Sequence, residues 1–218
     1  MNWLSRLKPN SLVARTLLLT LLAVVIAQGI ATSIWYSESK HKELEGIRSA
    51  SSSMANMFAS TVTFFQSLPV KYRHIVLDQI RNMGGTRFFV SFNKEALIVE
   101  PIPDTRLKTA SIEAIESVLS SKLNKVESVR VDFSRPEHLR LLKNDIYLSD
   151  LPRSWAHHTL TLEPLNPPIL VVQIELTSHE WVYIAALLPA PYVKLDDTIL
   201  GREQVIFLVS STLILLVL

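Results

Sequence analysis

The chain contains no cysteine. That removes disulfides, thiolate-bound zinc, iron–sulfur clusters and thiol nucleophiles together. Glycine is scarce, five in 218 residues, and the adjacent pair Gly84-Gly85 stands without the further glycines and lysine of a phosphate-cradling loop. Charge is missing from two stretches, Leu17 to Trp35 and Val205 to Leu218. All 20 acidic residues lie between Glu38 and Glu203, and three of the 22 basic ones (Arg6, Lys8, Arg15) precede the first uncharged stretch. The middle, residues 36–203, holds the other 19 basic residues and is nearly neutral. The isoelectric point near 8.9 therefore reflects the N-terminal flank and gives no support to nucleic-acid binding.

What fills the uncharged stretches is apolar. A bilayer core needs about 20 mostly apolar residues in a helix, and Leu17–Trp35 supplies 19. Trp35 and Tyr36 stand at one end, where amphipathic rings favour the headgroup layer, and the basic trio stands at the other. The pattern predicts a cytoplasmic N-terminus over 1–11 and a transmembrane helix over 12–36. A cleaved signal peptide is the rival reading, with small Gly29 and Ala31 near a would-be cleavage site. The second apolar run, VIFLVSSTLILLVL, argues against it, because a soluble secreted protein has no use for such a segment. At 14 residues it is too short to span, so 204–218 is expected to be the truncated start of a second transmembrane helix. Residues 37–203 then form one domain on the far side of the membrane. A C-terminal tail anchor is the alternative.

Inside that domain, Ser37 to Thr63 continues as helix, with Leu44, Ile47, Met54, Met57, Phe58, Val62 and Phe65 at three- and four-residue steps. Ser67-Leu68-Pro69 starts a second helix over about 70–83, with Tyr72, Ile75, Val76, Gln79 and Ile80 on one side. Gly84-Gly85 ends it. RFFVSFN (87–93) and ALIVE (96–100) read as a strand hairpin. Thr109–Leu123 is an amphipathic helix, and VESVRVDF (126–133) alternates as a half-buried strand. The stretch 134–152 fits neither period. ILVVQIEL (169–176) and WVYIAALL (181–188) are the strongest strand signals, joined by a turn over 177–180. The fold class is α+β: a long helix, further helices, and a mixed or antiparallel sheet of about five strands.

Three segments carry a family resemblance. SLVARTLLLTLL (11–22) resembles the lead-in to the first membrane helix of EnvZ-like proteobacterial kinases. YRHIVLDQIRNMGGTRFFVS (72–91) and LEPLNPPILVVQIEL (162–176) resemble the outer domains of related kinases. The layout is similar to the N-terminal membrane and sensor portion of a bacterial two-component sensor histidine kinase. That resemblance implies a PAS-like periplasmic sensor over 37–203, an inner-membrane location and a homodimer. It also implies a cognate response regulator served by a kinase module beyond Leu218, and ATP and magnesium needed there only. In such a dimer Ser37 to Phe65 would lie near the seam, with Met54, Met57, Phe58 and Phe65 as candidates. Two alternatives stay open: a non-signalling bitopic or tail-anchored envelope scaffold, and the input of another receptor class such as a diguanylate cyclase or chemoreceptor.

The family's phosphoacceptor box begins Ser-His-Glu, and Ser178-His179-Glu180 matches it only that far. Trp181 to Ile184 follow, without the proline five residues after the histidine, and the segment lies in a turn. His179 is therefore read as a turn residue, and residues 1–218 are assigned no catalytic group and no cofactor. Arg73, Arg81 and Arg87 cluster at the helix–glycine–strand corner with Lys71 beside them. They are the candidate ligand site for an unidentified periplasmic anion or protein. The rival reading is a solvated helix face. His74 and Asp78, four apart on a helix, are a weak candidate metal pair, since two ligands do not make a site. His157-His158 adjoin each other and would titrate near neutrality.

Overall fold

The computed structural model describes residues 12–82, 88–124, 126–150, 167–176, 180–192, 195 and 210. The expected second span (Ser210 apart), His157, His158, His179 and Arg87 lie outside the described residues, as do the side chains of Arg81 and Asn82. The chain divides into two compact units, Met1–Glu43 with Thr198–Leu218, and Leu44–Asp197.

The first helix, α1 (Leu12–Ser67), runs 56 residues without a break, because no proline interrupts it. Among the described residues it is the one helix long and apolar enough to cross a membrane. Leu18, Leu21, Leu22, Val24, Ile26 and Ile34 are all exposed, and at about 100° per residue they are spread right round the axis. A helix apolar on all sides, with no packing partner for this stretch among the described residues, suits a hydrocarbon surround. Its hydroxyls are satisfied from within. Thr16 donates to the Val13 carbonyl (2.9 Å), Thr20 to that of Thr16 (3.0 Å) and Thr32 to that of Gln28 (2.8 Å), which lowers the cost of polar atoms in an apolar medium.

From Ile47 onward the same helix acquires a buried stripe. Ile47, Ser51, Met54, Ala55, Phe58, Val62 and Phe65 are buried, at steps of three and four. The serine run does not end the helix, because Ser51 turns inward and Ser53 outward. Pro69 precedes α2 (Val70–Asn82), where its missing N–H costs nothing. The buried side of α2 is Arg73 and Leu77, with Val76 and Ile80 part-buried, whereas Tyr72, Ile75 and Gln79 are exposed. The expected face is thus rotated, because an arginine occupies a core-facing position that a hydrophobicity count assigns to solvent.

The sheet is antiparallel and four-stranded among the described residues. Its strands are β1 (Phe89–Asn93), β2 (Val126–Ser134), β3 (Ile169–Leu176) and β4 (Trp181–Leu187), in the order β1-β4-β3-β2. The central strands β3 and β4 are buried on both faces, which explains their largely apolar sequences, with Gln173 and Glu175 as the polar members. Leu170, Val172, Ile174, Val182, Ile184 and Ala186 face the helices α1, α2 and α3 (Arg106–Lys122) in the main core. Ile169, Val171, Tyr183 and Ala185 face a second cluster with Phe89, Leu97, Leu139, Leu141 and Leu148. Residues 97–99 and 139–148 supply that second cover.

Segment 96–100, expected as a strand, is not one. Its backbone is satisfied by side chains instead of a ladder. The Leu97 N–H donates to Gln173 Oε1 (2.7 Å), Gln173 Nε2 donates back to the Leu97 carbonyl (2.9 Å), and the Ile98 N–H donates to Asn144 Oδ1 (2.8 Å). The Ile98 carbonyl accepts from Arg140 (3.0 Å). Helix α3 begins three residues earlier than its apolar stripe indicates, because the Thr105 side chain accepts from the Lys108 N–H and caps it.

Candidate functional site

The α2 corner is held by charge. The Arg73 guanidinium reaches across 107 positions to pair with the Glu180 carboxylate, and its Nε donates to the Leu68 carbonyl (3.2 Å). Both side chains are largely buried, 8% and 17% exposed. Arg73 thus ties the α1–α2 junction to the start of β4. Lys71 is exposed and lies over the Tyr72 ring, 4.8 Å from its centroid. Of the basic corner, Arg73 points in and Lys71 out, while Arg87 and the side chain of Arg81 lie outside the described residues. His74 packs edge-on to Phe92, 5.9 Å between ring centroids. Among the described residues no group of three His, Asp or Glu side chains could hold a metal ion.

Of the four α1 seam candidates, Met54, Phe58 and Phe65 are buried inside this chain's own core. Phe58 meets Phe88 edge-on at 5.0 Å, and Phe65 meets Phe92 in the same way at 5.0 Å. Met57 is 38% exposed, and Phe64, one heptad on, is 46% exposed.

Sequence reading missed the buried polar groups. Lys108, on α3, is almost wholly buried, yet its ammonium donates to the Ile102 carbonyl (2.9 Å), Asp104 (2.9 Å) and Asp132 (3.0 Å). All three N–H bonds are used, and they knit the helix start to β2. Burial alone would lower the Lys108 pKa, but the hydrogen bonds and charges of Asp104 and Asp132 outweigh it and raise it above 10.5. A raised folded value means that the stabilisation is complete below the free-lysine value and is lost as pH climbs through the folded one. Denaturant titrations between about pH 9 and 12 should show stability falling at the alkaline end, and Lys108→Met should flatten that fall. An unchanged slope in the variant would remove this role from Lys108.

On the second sheet face a transverse row runs Ser91, Tyr183, Gln173, Arg130 across all four strands. Ser91 donates to the Leu141 carbonyl (2.9 Å), and Asn93, oriented to suit its neighbours, donates to that of Leu142 (2.9 Å). The Tyr183 hydroxyl is buried with no hydrogen-bond partner among the described residues, and burial pushes its pKa far above the ordinary phenol value. Ser51 and Ser111, both fully buried, share a 2.7 Å hydrogen bond that joins α1 to α3.

An open concavity among the described residues of this unit lies between α1 and the start of α3. It holds about 440 Å³ and is lined by Leu44, Arg48, Asp104, Thr105, Arg106, Thr109, Ala110 and Glu113. Arg48 faces Glu113 at 3.7 Å with both side chains more than half exposed, an attraction weakened by solvent. Cations, carboxylates and hydroxyls alternate round the groove, a lining that can bind polar groups. No lining residue is a histidine or cysteine, so no nucleophile–base pair of the usual kinds stands there.

A search of curated proteins supplies the family context. Over 208 residues, 95% of its length, the chain is 49% identical to the sensor histidine kinase GtrS of Pseudomonas aeruginosa. The chain is related to a sensor histidine kinase. It spans 44% of that protein's length. The sensor-kinase resemblance of segments 11–22, 72–91 and 162–176 thus extends to nearly the whole chain. No protein-family model matches the chain, and no solved structure does.

Proposed function

We propose that the chain is the input portion of a two-component sensor histidine kinase in the bacterial inner membrane. The observation that carries this is the 49% identity sustained over 208 residues. The uncharged, all-round apolar part of α1 supports a membrane span with a cytoplasmic N-terminus. In this reading 37–203 is the periplasmic sensor, PAS-like in having helices on one face of an antiparallel sheet, and 204–218 begins a second span. The protein acts as a homodimer, a kinase module beyond Leu218 uses ATP and magnesium, and a response regulator receives the phosphoryl group. Signals pass as a shift between two packings of the membrane helices that differ by a few kcal/mol. Exposed Met57 and Phe64 on α1 support a dimer contact on that flank better than the three buried seam candidates do. An anionic ligand at Lys71, Arg73, Arg81 and Arg87 would have to compete with Glu180 for Arg73.

The test is made on the full-length gene product in inner-membrane vesicles supplied with radiolabelled ATP and magnesium. The expected result is an acid-labile, base-stable phosphoryl label on the protein, chased onto a response regulator. Vesicles that bind ATP and acquire no label sink the reading.

A further inference from the structure

Glycine inside a helix is less stable than alanine, because it has more freedom to lose on folding. Gly46 of α1 has a steric reason to be there. A Cβ built on it would fall inside the phenol hydroxyl of Tyr192, with ring atoms Cζ and Cε1 next nearest. Gly29 of the same helix has nothing within 4 Å of such a Cβ. The two glycines thus differ in kind: one faces open space and the other faces an occupant.

Tyr192 belongs to the segment that leaves the sheet. It follows β4 through a turn in which its N–H donates to the Pro189 carbonyl (2.9 Å). It packs, part-buried, against the main core, and Leu195, three residues later, is 2% exposed. Leu44 and Arg48, which line the groove beside α3, stand two residues either side of Gly46, about 200° away round the helix axis. One turn of α1 is therefore gripped on two flanks, by α3 on one and by the segment leaving β4 on the other. In sequence, Gly46 is ten residues past Tyr36, and Tyr192 is 13 residues before the apolar run that opens at Val205.

We propose that the Tyr192 ring seated against Gly46 is a latch: it fixes the segment leaving the sensor domain to the helix that leads into it, and whether it is seated sets the protein's output. The proposal rests on the input-portion reading above. A closed latch makes the two chain connections move as one body. An open latch lets the departing segment shift against α1. The three atoms nearest a Cβ at position 46 all belong to the Tyr192 side chain, so a single methyl group there is enough to unseat it.

The experiment is a double-mutant cycle in the full-length protein in membranes, read by thermal midpoint and by phosphorylation output. Gly46→Ala should lower the midpoint by about 3 °C and change unstimulated output by about threefold or more. Tyr192→Ala should change output in the same direction. Adding Gly46→Ala to Tyr192→Ala should change output no further and should raise the midpoint, since the helix then gains an alanine in empty space. Tyr192→Phe keeps the ring and should behave as wild type. The proposal is overturned if Gly46→Ala raises the midpoint with Tyr192 present, as an open helical site would. It is equally overturned if both single variants keep wild-type output. A wild-type protein that shows no phosphorylation refutes the kinase-input reading and the output half of the latch with it, while the thermal cycle still decides the contact.

Discussion

Arg73→Ala should cost about 3 kcal/mol, since breaking a buried ion pair strands the remaining charge. Glu180 would keep its carboxylate in a site that is 17% exposed, with its cation gone. The Leu68 carbonyl would lose its Nε donor at the same stroke. At about 2–4 °C per kcal/mol for a chain of this size, the midpoint of the detergent-solubilised protein should fall by roughly 6–12 °C. Adding Glu180→Gln should recover much of the loss, because a neutral buried amide is less costly than an unpaired carboxylate. A melt within a degree or two of wild type for Arg73→Ala alone would show that the pair is solvent-screened and carries little. The prediction also bears on ligand binding at this corner. A residue that anchors the fold cannot be mutated to test a binding site unless stability is measured alongside.

Phe58→Ala should be comparably damaging. Its side chain is fully buried and stacks edge-on with Phe88, and truncating such a ring costs about 3–5 kcal/mol in lost transfer energy and cavity. Met57→Ala, one position away but 38% exposed, should stay within about 0.5 kcal/mol of wild type in the isolated chain. The contrast is measurable by denaturant unfolding of both variants in parallel. If Met57→Ala were the more destabilising of the two, the assignment of Phe58 to the core and Met57 to the surface would be reversed. The same pair speaks to dimer contacts: a dimerisation defect in Phe58→Ala would be secondary to unfolding, whereas one in Met57→Ala would not.

The elements with strong local signals were legible in the sequence. ILVVQIEL and WVYIAALL are strands almost to the residue, because two-sided burial leaves them apolar but for Gln173 and Glu175. Pro69 marks the start of α2 correctly, and the 126–134 strand is visible from its alternation. What escaped is what depends on partners far along the chain. ALIVE has strand composition, but its partner is the side chain of Gln173, 76 positions away, and composition cannot reveal that. Arg73 looked like part of a surface patch because its carboxylate partner is 107 residues distant. Lys108 carries no signal in the sequence, because lysine is usually solvated, and only the fold brings Asp132 and the Ile102 carbonyl to it. Of the α1 stripe, Ile47, Met54, Phe58, Val62 and Phe65 are buried, while Met57 lies just off the edge of the same helical face.

The Gln173–Leu97 exchange has a consequence for how the sequence can change. A strand in a ladder is recognised by its neighbour along its whole length, so both partners constrain each other. Residues 96–100 are instead read at two backbone atoms by one amide and at two more by Asn144 and Arg140. Backbone atoms are the same in every residue but proline. Apart from the buried Leu97 and the part-buried Val99, which pack beneath this cover, and Glu100, whose carboxylate meets Arg140 and His138, the segment is free to drift in identity while keeping its place. Much of the specification of its position is written in 140, 144 and 173, far from the segment itself.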